Sequence, residues 1–347
     1  MDILVSIIIP AYNTEFVVGN AIMSALAQEL EPVGGGAEIE VICVDDGSSD
    51  GTLRVMNELA ALDSRVRVVA LPQNVGTFAA RIAGVQESRG EFVLFLDSDD
   101  VILKHCVAAY LQALQGESDV DIVFANRITH SENAQKITRN FPHLAAPCAL
   151  FGAQIFAEVF ATKTWQSSRW TQTGKLYTRA ILLQAIDFVR ETWGGIPRGI
   201  SGFEDALFSF AILQFAQKAL VLDEILYEYL WRYRDEKMRN IVKCTSPQTR
   251  FAQEARVIGL MQALANTQKV RDSTLCAHVD RVLRHIKYDY CAGQRHGGVF
   301  IALDAENKAS IFPVYLRAVA SSMRYGKRRR ALKRMLLFMI SLGRIRR

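Results

Sequence analysis

Four apolar, β-branched segments alternate with segments of helical periodicity over the first hundred residues, and this order restricts the fold more than any other feature. The predicted strands are Val5–Pro10, Glu40–Val44, Val66–Leu71 and Phe92–Leu96. Helices are predicted between them: one with Ile22, Leu26 and Leu30 on one face, one with Leu53, Met56 and Ala60 on one face, and one over Phe78–Ser88. Such alternation indicates an α/β fold with a mainly parallel sheet and helices on both faces.

Polar residues follow all four predicted strands. They are Asn13 after the first, Asp45 and Asp46 after the second, Asn74 after the third, and Asp97–Asp100 after the fourth. The carboxyl ends of parallel strands lie along one edge of a sheet, and open α/β sheets bind their ligands in the crevice at that edge. The sequence therefore predicts a ligand site on which four separate loops converge.

Three carboxylates follow the fourth predicted strand, at Asp97, Asp99 and Asp100. Carboxylates this close repel one another unless they share a cation, and Mg²⁺ or Mn²⁺ prefers oxygen ligands. The alternative is an acidic turn that caps a helix beginning near Val101, because Asp is favoured at helix N-caps. The segment Asp45–Ser48 is likewise compatible with a simple turn.

Four motifs occur together in the first hundred residues, and their joint order is more specific than any one of them. They are Val5-Ser-Ile-Ile-Ile-Pro-Ala-Tyr-Asn13, Val44-Asp-Asp-Gly-Ser-Ser-Asp-Gly-Thr52, Asn74-Val-Gly76 with Arg81, and Phe95-Leu-Asp-Ser-Asp-Asp100. This order resembles the signature of family 2 glycosyltransferases, and a weaker match continues through Lys175–Tyr177 and Gly202–Asp205. The resemblance implies a GT-A fold and a nucleotide-sugar donor, usually a UDP-sugar.

The resemblance also implies roles for individual residues in donor binding. The implied assignments place Pro10, Tyr12 and Asn13 around the nucleoside, Asp46 or Asp45 on the base, and Arg81 on the base or the phosphates. Asp97 is implied near the ribose, and Asp97 with Asp99 on a divalent metal, Mn²⁺ or Mg²⁺. Asn74, Gly76 and Ser98 are implied elsewhere in the donor site.

Glu204 and Asp205 match the pair of acids that contains the catalytic base in this family. Asp205 is the implied base, with Glu204 beside it. The alternative is structural, because two acids in the first turn of a helix are stabilised by the helix dipole. The glycines that precede the pair favour a mobile loop that closes over the substrate; they are Gly194, Gly195, Gly199 and Gly202.

The implied reaction is a single displacement, in which an acceptor hydroxyl attacks the anomeric carbon and the configuration inverts. The expected acceptor is a glycan or a lipid-linked glycan, in bacterial surface polysaccharide synthesis. One alternative is a nucleotide-sugar-binding partner protein without catalysis. Another is a nucleotidyltransferase, but that class needs a glycine-rich loop after the first strand, and Pro10–Asn13 does not supply one.

The remainder of the chain carries weaker patterns. Further predictions are helices over Lys175–Leu183 and Phe203–Phe215, a strand over Ala219–Tyr229, and amphipathic helices over Phe251–Ala265 and Leu275–Ile286. We expect a GT-A catalytic domain over residues 1–235, with a nucleotide-sugar-binding half (1–126) and an acceptor-side half (127–235), and a helical C-terminal region over residues 236–347. Within the second half, the connecting segment Arg127–Thr173 is expected to shape the acceptor pocket.

Positive charge is concentrated at the C-terminal end. The net charge is +5, yet residues 307–347 contain 12 Lys and Arg and no Asp or Glu. Residues 311–347 combine these with apolar positions, which predicts a helix on an anionic membrane surface or, alternatively, a helix packed on its own domain. No nucleic-acid module accompanies the charge, so no nucleic-acid partner is expected. With neither a signal peptide nor a membrane-spanning run in the sequence, the expected location is cytoplasmic, peripheral to the membrane.

Overall fold

In a computed structural model, the described residues are 3–30, 38–130, 134–161, 167–200, 203–230, 247–271 and 273–283. They divide into two compact units, one within residues 1–159 and 166–244 and the other within residues 160–165 and 245–347. The basic segment 311–347 and the loop glycine Gly202 lie outside the described residues.

The first half of the first unit alternates strands and helices as the sequence predicts. The elements are β1 (Ile3–Ala11), α1 (Val18–Leu26), β2 (Glu38–Asp45), α2 (Thr52–Leu62), β3 (Val66–Ala70), α3 (Thr77–Glu87) and β4 (Phe92–Phe95). All four predicted strands and three helices are confirmed. Leu30 was expected on the face of the first helix, but it lies beyond α1, because the Glu29 amide donates to the Lys104 carbonyl rather than continuing the helix.

The second half of this unit is less regular. Its elements are β5 (Val101–Ile102), α4 (Cys106–Leu114), β6 (Ile122–His130), β7 (Gln135–Thr138), β8 (Cys148–Phe151), α5 (Ala153–Val159), β9 (Lys175–Thr178), α6 (Arg179–Trp193), α7 (Glu204–Ile212) and β10 (Lys218–Tyr229). The prediction of a helix over Lys175–Leu183 is wrong for its first four residues. These residues form β9, which pairs with β4 and β6 on either side, and the helix begins at Arg179.

Ten strands form one sheet with the order β3-β2-β1-β4-β9-β6-β10-β5, while β7 pairs with β6 and β8 pairs with β10. Strands β1 to β4 are parallel to one another, as the alternation predicts. Beyond β4 the sheet is mixed, because β9 runs antiparallel to both β4 and β6, whereas β6 and β10 are parallel. The α/β fold class is confirmed, with the parallel part confined mainly to the N-terminal half.

Both faces of the sheet carry helices. Ile7 and Ile9 of β1 belong to the buried cluster that includes Ile22 of α1 and residues of α2 and α4. Ile8 points the opposite way and closely approaches Gly84 of α3, where a Cβ atom would collide with its side chain. Helices α6 and α7 pack with α3 on this second face. The core is therefore layered as helix, sheet and helix.

The second unit contains helices α8 (Pro247–Ala265) and α9 (Gln268–Arg271), and residues 276–283 are also helical. Val257, Met261 and Leu264 are buried on α8. The predicted helix over Phe251–Ala265 is confirmed, and the one over Leu275–Ile286 is described as far as residue 283. Among all described residues, no helix combines the length and apolar character that crossing a bilayer requires.

Candidate functional site

The loops that follow β1 and β2 are joined by hydrogen bonds at the predicted edge of the sheet. Asn13 has a positive φ of 54°, a conformation that Asn tolerates better than most residues. Its amide donates to Ser48 Oγ at 3.0 Å, and its Oδ1 accepts from the Ser49 amide at 2.8 Å. Beside it, Tyr12 is 44 % exposed, whereas Pro10 is buried within β1. An exposed aromatic ring thus lies at the edge of the sheet.

The loops that follow β2 and β3 are joined through one carboxylate. Asp46 accepts the Val75 amide at 2.7 Å and the Gly76 amide at 3.0 Å, one on each oxygen. Burial raises the pKa of Asp46, and the two amide hydrogen bonds oppose that shift. Its neighbour Asp45 is also buried, and its carboxylate accepts the Ser48 amide at 3.3 to 3.4 Å. Asp46 therefore has a direct structural role in holding the third loop.

The third loop is also held against residues 199 and 200. The Gly199 amide donates to the Val75 carbonyl at 2.6 Å. Gly76 has a φ of +89°, and a Cβ atom there would lie 2.7 Å from the Ile200 carbonyl oxygen. Only glycine fits this combination of backbone conformation and close approach. Asn74, just before it, is exposed at the surface of the loop.

Arg81 links two carboxylates that are far apart in the sequence. Its Nη2 donates to Asp97 Oδ1 at 2.7 Å, and its Nη1 forms a short hydrogen bond with Asp205 Oδ1. Arg81 is only 3 % exposed. Burial would lower its pKa, but the carboxylates of Asp205, Asp97 and Glu204 outweigh burial and raise it. The guanidinium is thus a permanent cation between two acids of the predicted site.

The acidic segment after β4 does not cap a helix. The expected helix at Val101 is absent, because Val101 and Ile102 form strand β5 against β10, and α4 begins only at Cys106. The capping alternative for these acids is therefore wrong.

Each of the first and last acids of the segment has a partner. Asp97 contacts Arg81, while Asp100 accepts the Tyr227 hydroxyl at 2.6 Å and the Leu230 amide at 2.9 Å. Burial, followed by the charges of Asp99 and Asp97, raises the pKa of Asp100. Ser98 is buried between them, and Asp99 is partly exposed.

Glu204 and Asp205 occupy the first turn of α7, after Phe203 in a left-handed conformation. The Asp205 side chain is 20 % exposed, and burial raises its pKa while the Arg81 charge opposes that shift. Burial and the Asp205 charge raise the pKa of Glu204 to about 7. Both acids lie where the helix dipole stabilises negative charge, as the structural alternative requires. Asp205 also contacts Arg81, which contacts Asp97.

Three residues to which the sequence analysis gave no role in the site complete the surroundings of these acids. Gln172 donates to the Asp205 carbonyl at 2.9 Å. Lys175 is buried and contacts main-chain carbonyls of residues 168–173, the segment that contains Gln172. The Tyr227 hydroxyl accepts the Asp97 amide at 3.3 Å. A lysine at the start of an apolar strand was the available signal for Lys175. Gln172 and Tyr227 carry no local signal, because their contacts are long-range.

The described residues contain no cluster of three or more His, Cys, Asp or Glu side chains arranged around one point for a metal ion. Asp100 accepts one hydrogen bond on each oxygen, from Tyr227 and from Leu230, and is almost completely buried. Asp97 and Asp99 are left as oxygen donors. Two carboxylates fit Mg²⁺ or Mn²⁺ in sites where substrate phosphates supply further ligands.

A cavity of about 260 Å³ lies in the half expected to bind the acceptor. Its polar wall comprises Asn126, Arg139 and Asp223, and its apolar wall includes Phe141, Pro142 and Leu144. Asn126 donates to Asp223 Oδ1 at 3.1 Å, and Arg139 donates to the same oxygen at 3.2 Å. The cavity is lined mainly by the predicted connecting segment.

Comparison with known families identifies the class of protein that this fold and site define. The profile of glycosyl transferase family 2 matches residues 6–186, and the chain belongs to this family. EpsJ of Bacillus subtilis, an uncharacterized glycosyltransferase, is 30 % identical over 233 residues, which is 65 % of this chain and 60 % of EpsJ. The succinoglycan biosynthesis protein ExoO of Rhizobium meliloti is 42 % identical over 98 residues, which is 28 % of this chain and 26 % of ExoO.

Solved structures confirm the GT-A fold. TarS residues 1–349 from S. aureus, in complex with UDP-GlcNAc, has a TM-score of 0.61 and 23 % identity, covering 93 % of this chain and 81 % of that one. The mannosyltransferase PcManGT from Pyrobaculum calidifontis, in complex with GDP-Man and Mn²⁺, has a TM-score of 0.51 and 14 % identity, covering 98 % and 87 %. The chain thus belongs to glycosyl transferase family 2 and has the GT-A fold.

Proposed function

We propose that this protein is an inverting glycosyltransferase that moves a sugar from a UDP-sugar to a hydroxyl group of a glycan or lipid-linked acceptor. The observation that carries the proposal is the contact of Arg81 with both Asp97 and Asp205. This contact joins the acidic segment after β4 to the first turn of α7. An acid for proton removal and acids for the donor side therefore lie in one cluster.

Asp205 is the proposed base. In the reaction, the acceptor oxygen forms a bond to the anomeric carbon and its proton passes to an Asp205 carboxylate oxygen. The bond from the anomeric carbon to the diphosphate oxygen breaks, and its electron pair leaves with UDP. Burial raises the pKa of Asp205, which makes it a stronger base, and the Arg81 cation opposes that rise and favours the ionised form that accepts a proton.

The donor site is proposed at the loops that follow β1, β2 and β4. Tyr12 offers an exposed ring for the uracil, and Asn13 joins the first two loops. Because Asp46 is committed to the Val75 and Gly76 amides, we assign the base contact to Asp45. The likeness to TarS in complex with UDP-GlcNAc supports a UDP-sugar as donor. Contacts of Pro10, Asn74, Gly76, Arg81 and Ser98 with the donor stay predictions.

Asp97 and Asp99 are the residues that would hold Mg²⁺ or Mn²⁺. A bound divalent ion would supply positive charge to the leaving diphosphate. The PcManGT complex with Mn²⁺ supports this assignment at the level of the fold.

Surface polysaccharide synthesis is the proposed setting. Similarity to a succinoglycan biosynthesis protein supports it, although the alignment covers only about a quarter of that protein. A contact of residues 311–347 with an anionic membrane from the cytoplasmic side stays a prediction from the charge pattern, because these residues lie outside the described ones.

The proposal is tested by UDP release from a panel of UDP-sugars, including UDP-GlcNAc, with water or a supplied glycan as acceptor. Asp205→Asn keeps the shape of the side chain and removes the base, so turnover falls by about 10²- to 10⁴-fold while UDP still binds. Asp187→Asn on α6 is the matched control, since Asp187 forms an exposed pair with Arg190. Full turnover of Asp205→Asn would overturn the assignment of the base.

A further inference from the structure

Lys175 is the first residue of β9, and it is almost completely buried. Only 1 % of the residue is exposed. Lysine is rarely buried to this degree without a charged partner. Within the described part of the chain, no carboxylate lies within 4.0 Å of its ammonium group. The cost of burying this charge therefore has to be offset by other contacts.

Those contacts are main-chain carbonyls of one short segment. Lys175 Nζ donates to the Ser168 carbonyl at 3.3 Å, to the Thr173 carbonyl at 3.4 Å and, in a short hydrogen bond, to the Thr171 carbonyl. An ammonium group has three donors, and three acceptors are provided. The Phe124 ring centroid lies 5.6 Å from Nζ, within the range of a cation–π contact. We call residues 168–173 the clasped segment.

The clasped segment reaches the predicted base through Gln172. Gln172 Nε2 donates to the Asp205 carbonyl at 2.9 Å and to Ser209 Oγ at 3.0 Å, which places it against the first turns of α7. Its Oε1 accepts the Tyr177 hydroxyl at 3.2 Å. Tyr177 lies two residues after Lys175 on β9, so the same strand holds both the backbone and the side chain of this segment.

The same segment also reaches the strand that carries the donor-side acids. Thr173 forms a bridge with Phe95, the last residue of β4 and two residues before Asp97. The clasped segment is thus attached to β4 at one end and to α7 through Gln172. Each attachment lies next to one of the two acids that share Arg81. The bridge to Phe95 lies two residues before Asp97, and the Gln172 hydrogen bond is to Asp205 itself.

We propose that Lys175 is a positioning residue for the transfer reaction: its ammonium group fixes the clasped segment, and through Gln172 it sets the position of Asp205 relative to Asp97. This inference rests on the proposed function, in which Asp205 removes the acceptor proton.

The electrostatic surroundings of Lys175 contain opposing effects, and the Asp205 charge is the one that stabilises the ammonium group. The pKa of Lys175 is lowered to about 7, mainly by burial; the charges of Arg127 and Arg81 act in the same direction, and the Asp205 charge opposes them. Interaction with Asp205 thus favours the protonated form, which donates all three hydrogen bonds. An apolar side chain at position 175 would leave three carbonyls without this donor.

The first test compares turnover with donor binding in Lys175→Met. Methionine preserves the apolar stem and removes the three donors. We expect UDP affinity to be retained and UDP release from UDP-GlcNAc, or from the UDP-sugar that the wild type uses, to fall by about 10²-fold, because a displacement of about 1 Å is enough for such a loss. The matched control is Lys218→Met, which also removes an amine at the start of a strand. Lys218 contacts Glu117 and the Ser118 carbonyl at the other end of β10 from Tyr227.

The second test uses Gln172→Ala. This substitution removes the hydrogen bond from the clasped segment to the Asp205 carbonyl without removing a charge. We expect a similar loss of turnover with retained UDP affinity. The double variant is expected to be no worse than the more impaired single variant, because the two residues act through one segment. If Gln172→Ala keeps wild-type turnover, the proposal is overturned, even if Lys175→Met fails to fold.

Amide hydrogen exchange provides a test that needs no turnover. In Lys175→Met or Gln172→Ala, exchange is expected to rise in residues 168–173 and also in the first turn of α7, but not in α2. Unchanged exchange around Asp205 would overturn the proposal. A wild type that neither binds UDP nor releases it from any UDP-sugar would instead overturn the proposed function, and the exchange result would still decide whether Lys175 positions Asp205.

Discussion

Arg81 and Asp205 lie 124 residues apart in the sequence, yet the buried guanidinium of Arg81 and the partly buried carboxylate of Asp205 form an ion pair. Arg81 lies on α3, which packs behind the parallel strands, and Asp205 lies on the first turn of α7. The second terminal nitrogen of Arg81 contacts Asp97. One arginine therefore joins the nucleotide-binding part of the sheet to the helix that carries the proposed base.

Replacement of Arg81 by alanine is predicted to impair both stability and turnover. It leaves Asp97 and Asp205 without their shared cation, and removing one partner of a buried pair lowers the free energy of unfolding by about 3 kcal/mol. Urea denaturation measures that loss, and UDP release measures turnover.

Arg67→Ala is the matched control for this variant, because Arg67 also bridges two acids, Glu40 and Glu87, but lies away from the site. Its effect is expected to be confined to stability. Equal losses of turnover in the two variants, at matched folded fractions, would contradict a specific role for Arg81.

Asp46→Ala is predicted to destabilise the third loop. The substitution leaves the Val75 and Gly76 amides without acceptors, and each unsatisfied buried donor costs about 1 to 3 kcal/mol. Asp63→Ala is the control, since Asp63 contacts only Arg65 at the surface and its loss is expected to be below about 1 kcal/mol. Denaturant midpoints compare the two, and equal midpoints would refute the structural role of Asp46.

Gly76→Ala is predicted to lower the free energy of unfolding by at least about 3 kcal/mol. A Cβ atom there meets the Ile200 carbonyl, in addition to the cost of the positive φ. Gly116 has a similar φ of +77° but nothing within 4 Å, so Gly116→Ala isolates the conformational cost, which is about 1 kcal/mol. If thermal unfolding gave the same loss for both variants, the contact with Ile200 would have no energetic weight.

Glu204→Gln is predicted to stabilise the fold at alkaline pH. Burial and the Asp205 charge raise the pKa of Glu204 from 4.5 to about 7. Between these values the folded state binds more protons than the unfolded chain, so the Glu204 contribution to the free energy of unfolding falls as the pH rises. Glutamine removes this dependence.

Thermal unfolding at about pH 8 and about pH 4 tests the predicted direction of this pH dependence. The variant is expected to melt above the wild type at the higher pH, with the difference lost at the lower one. Glu58→Gln on α2, where Glu58 forms an exposed pair with Arg54, is expected to show no such gain. A Glu204→Gln melting point at or below that of the wild type near pH 8 would be the opposite result.

The elements predicted correctly from the sequence are those specified by local patterns. Strands β1 to β4 are β-branched runs bounded by polar turns, and the residues that follow them meet at one edge because parallel strands share a direction. Elements that depend on distant pairing were not predictable. β5 has only two residues and forms against β10, about 125 positions later, and β9 was mistaken for the start of α6 because both lie in one apolar stretch.

The candidate site shows the same division between features that local sequence patterns specify and features that depend on distant contacts. Asn13, Asp46 and Asp97 were found because they follow strands, and Asp205 was found through the family resemblance. Arg81, Gln172 and Tyr227 organise these residues through contacts with residues at least 16 positions away in the sequence. Lys175 acts on its own neighbourhood, through the carbonyls of residues 168, 171 and 173. Sequence patterns therefore located the acids, whereas the structure explains what holds them together.

The most direct test of the central claim is calorimetric binding of UDP and UDP-sugars, with and without Mn²⁺, to the wild type and to Asp99→Ala. We expect the wild type to bind UDP more tightly with Mn²⁺ and Asp99→Ala to lose this gain, because only Asp97 is left to hold the ion. If the wild type binds no uridine nucleotide, with or without Mn²⁺, the proposed donor site is contradicted.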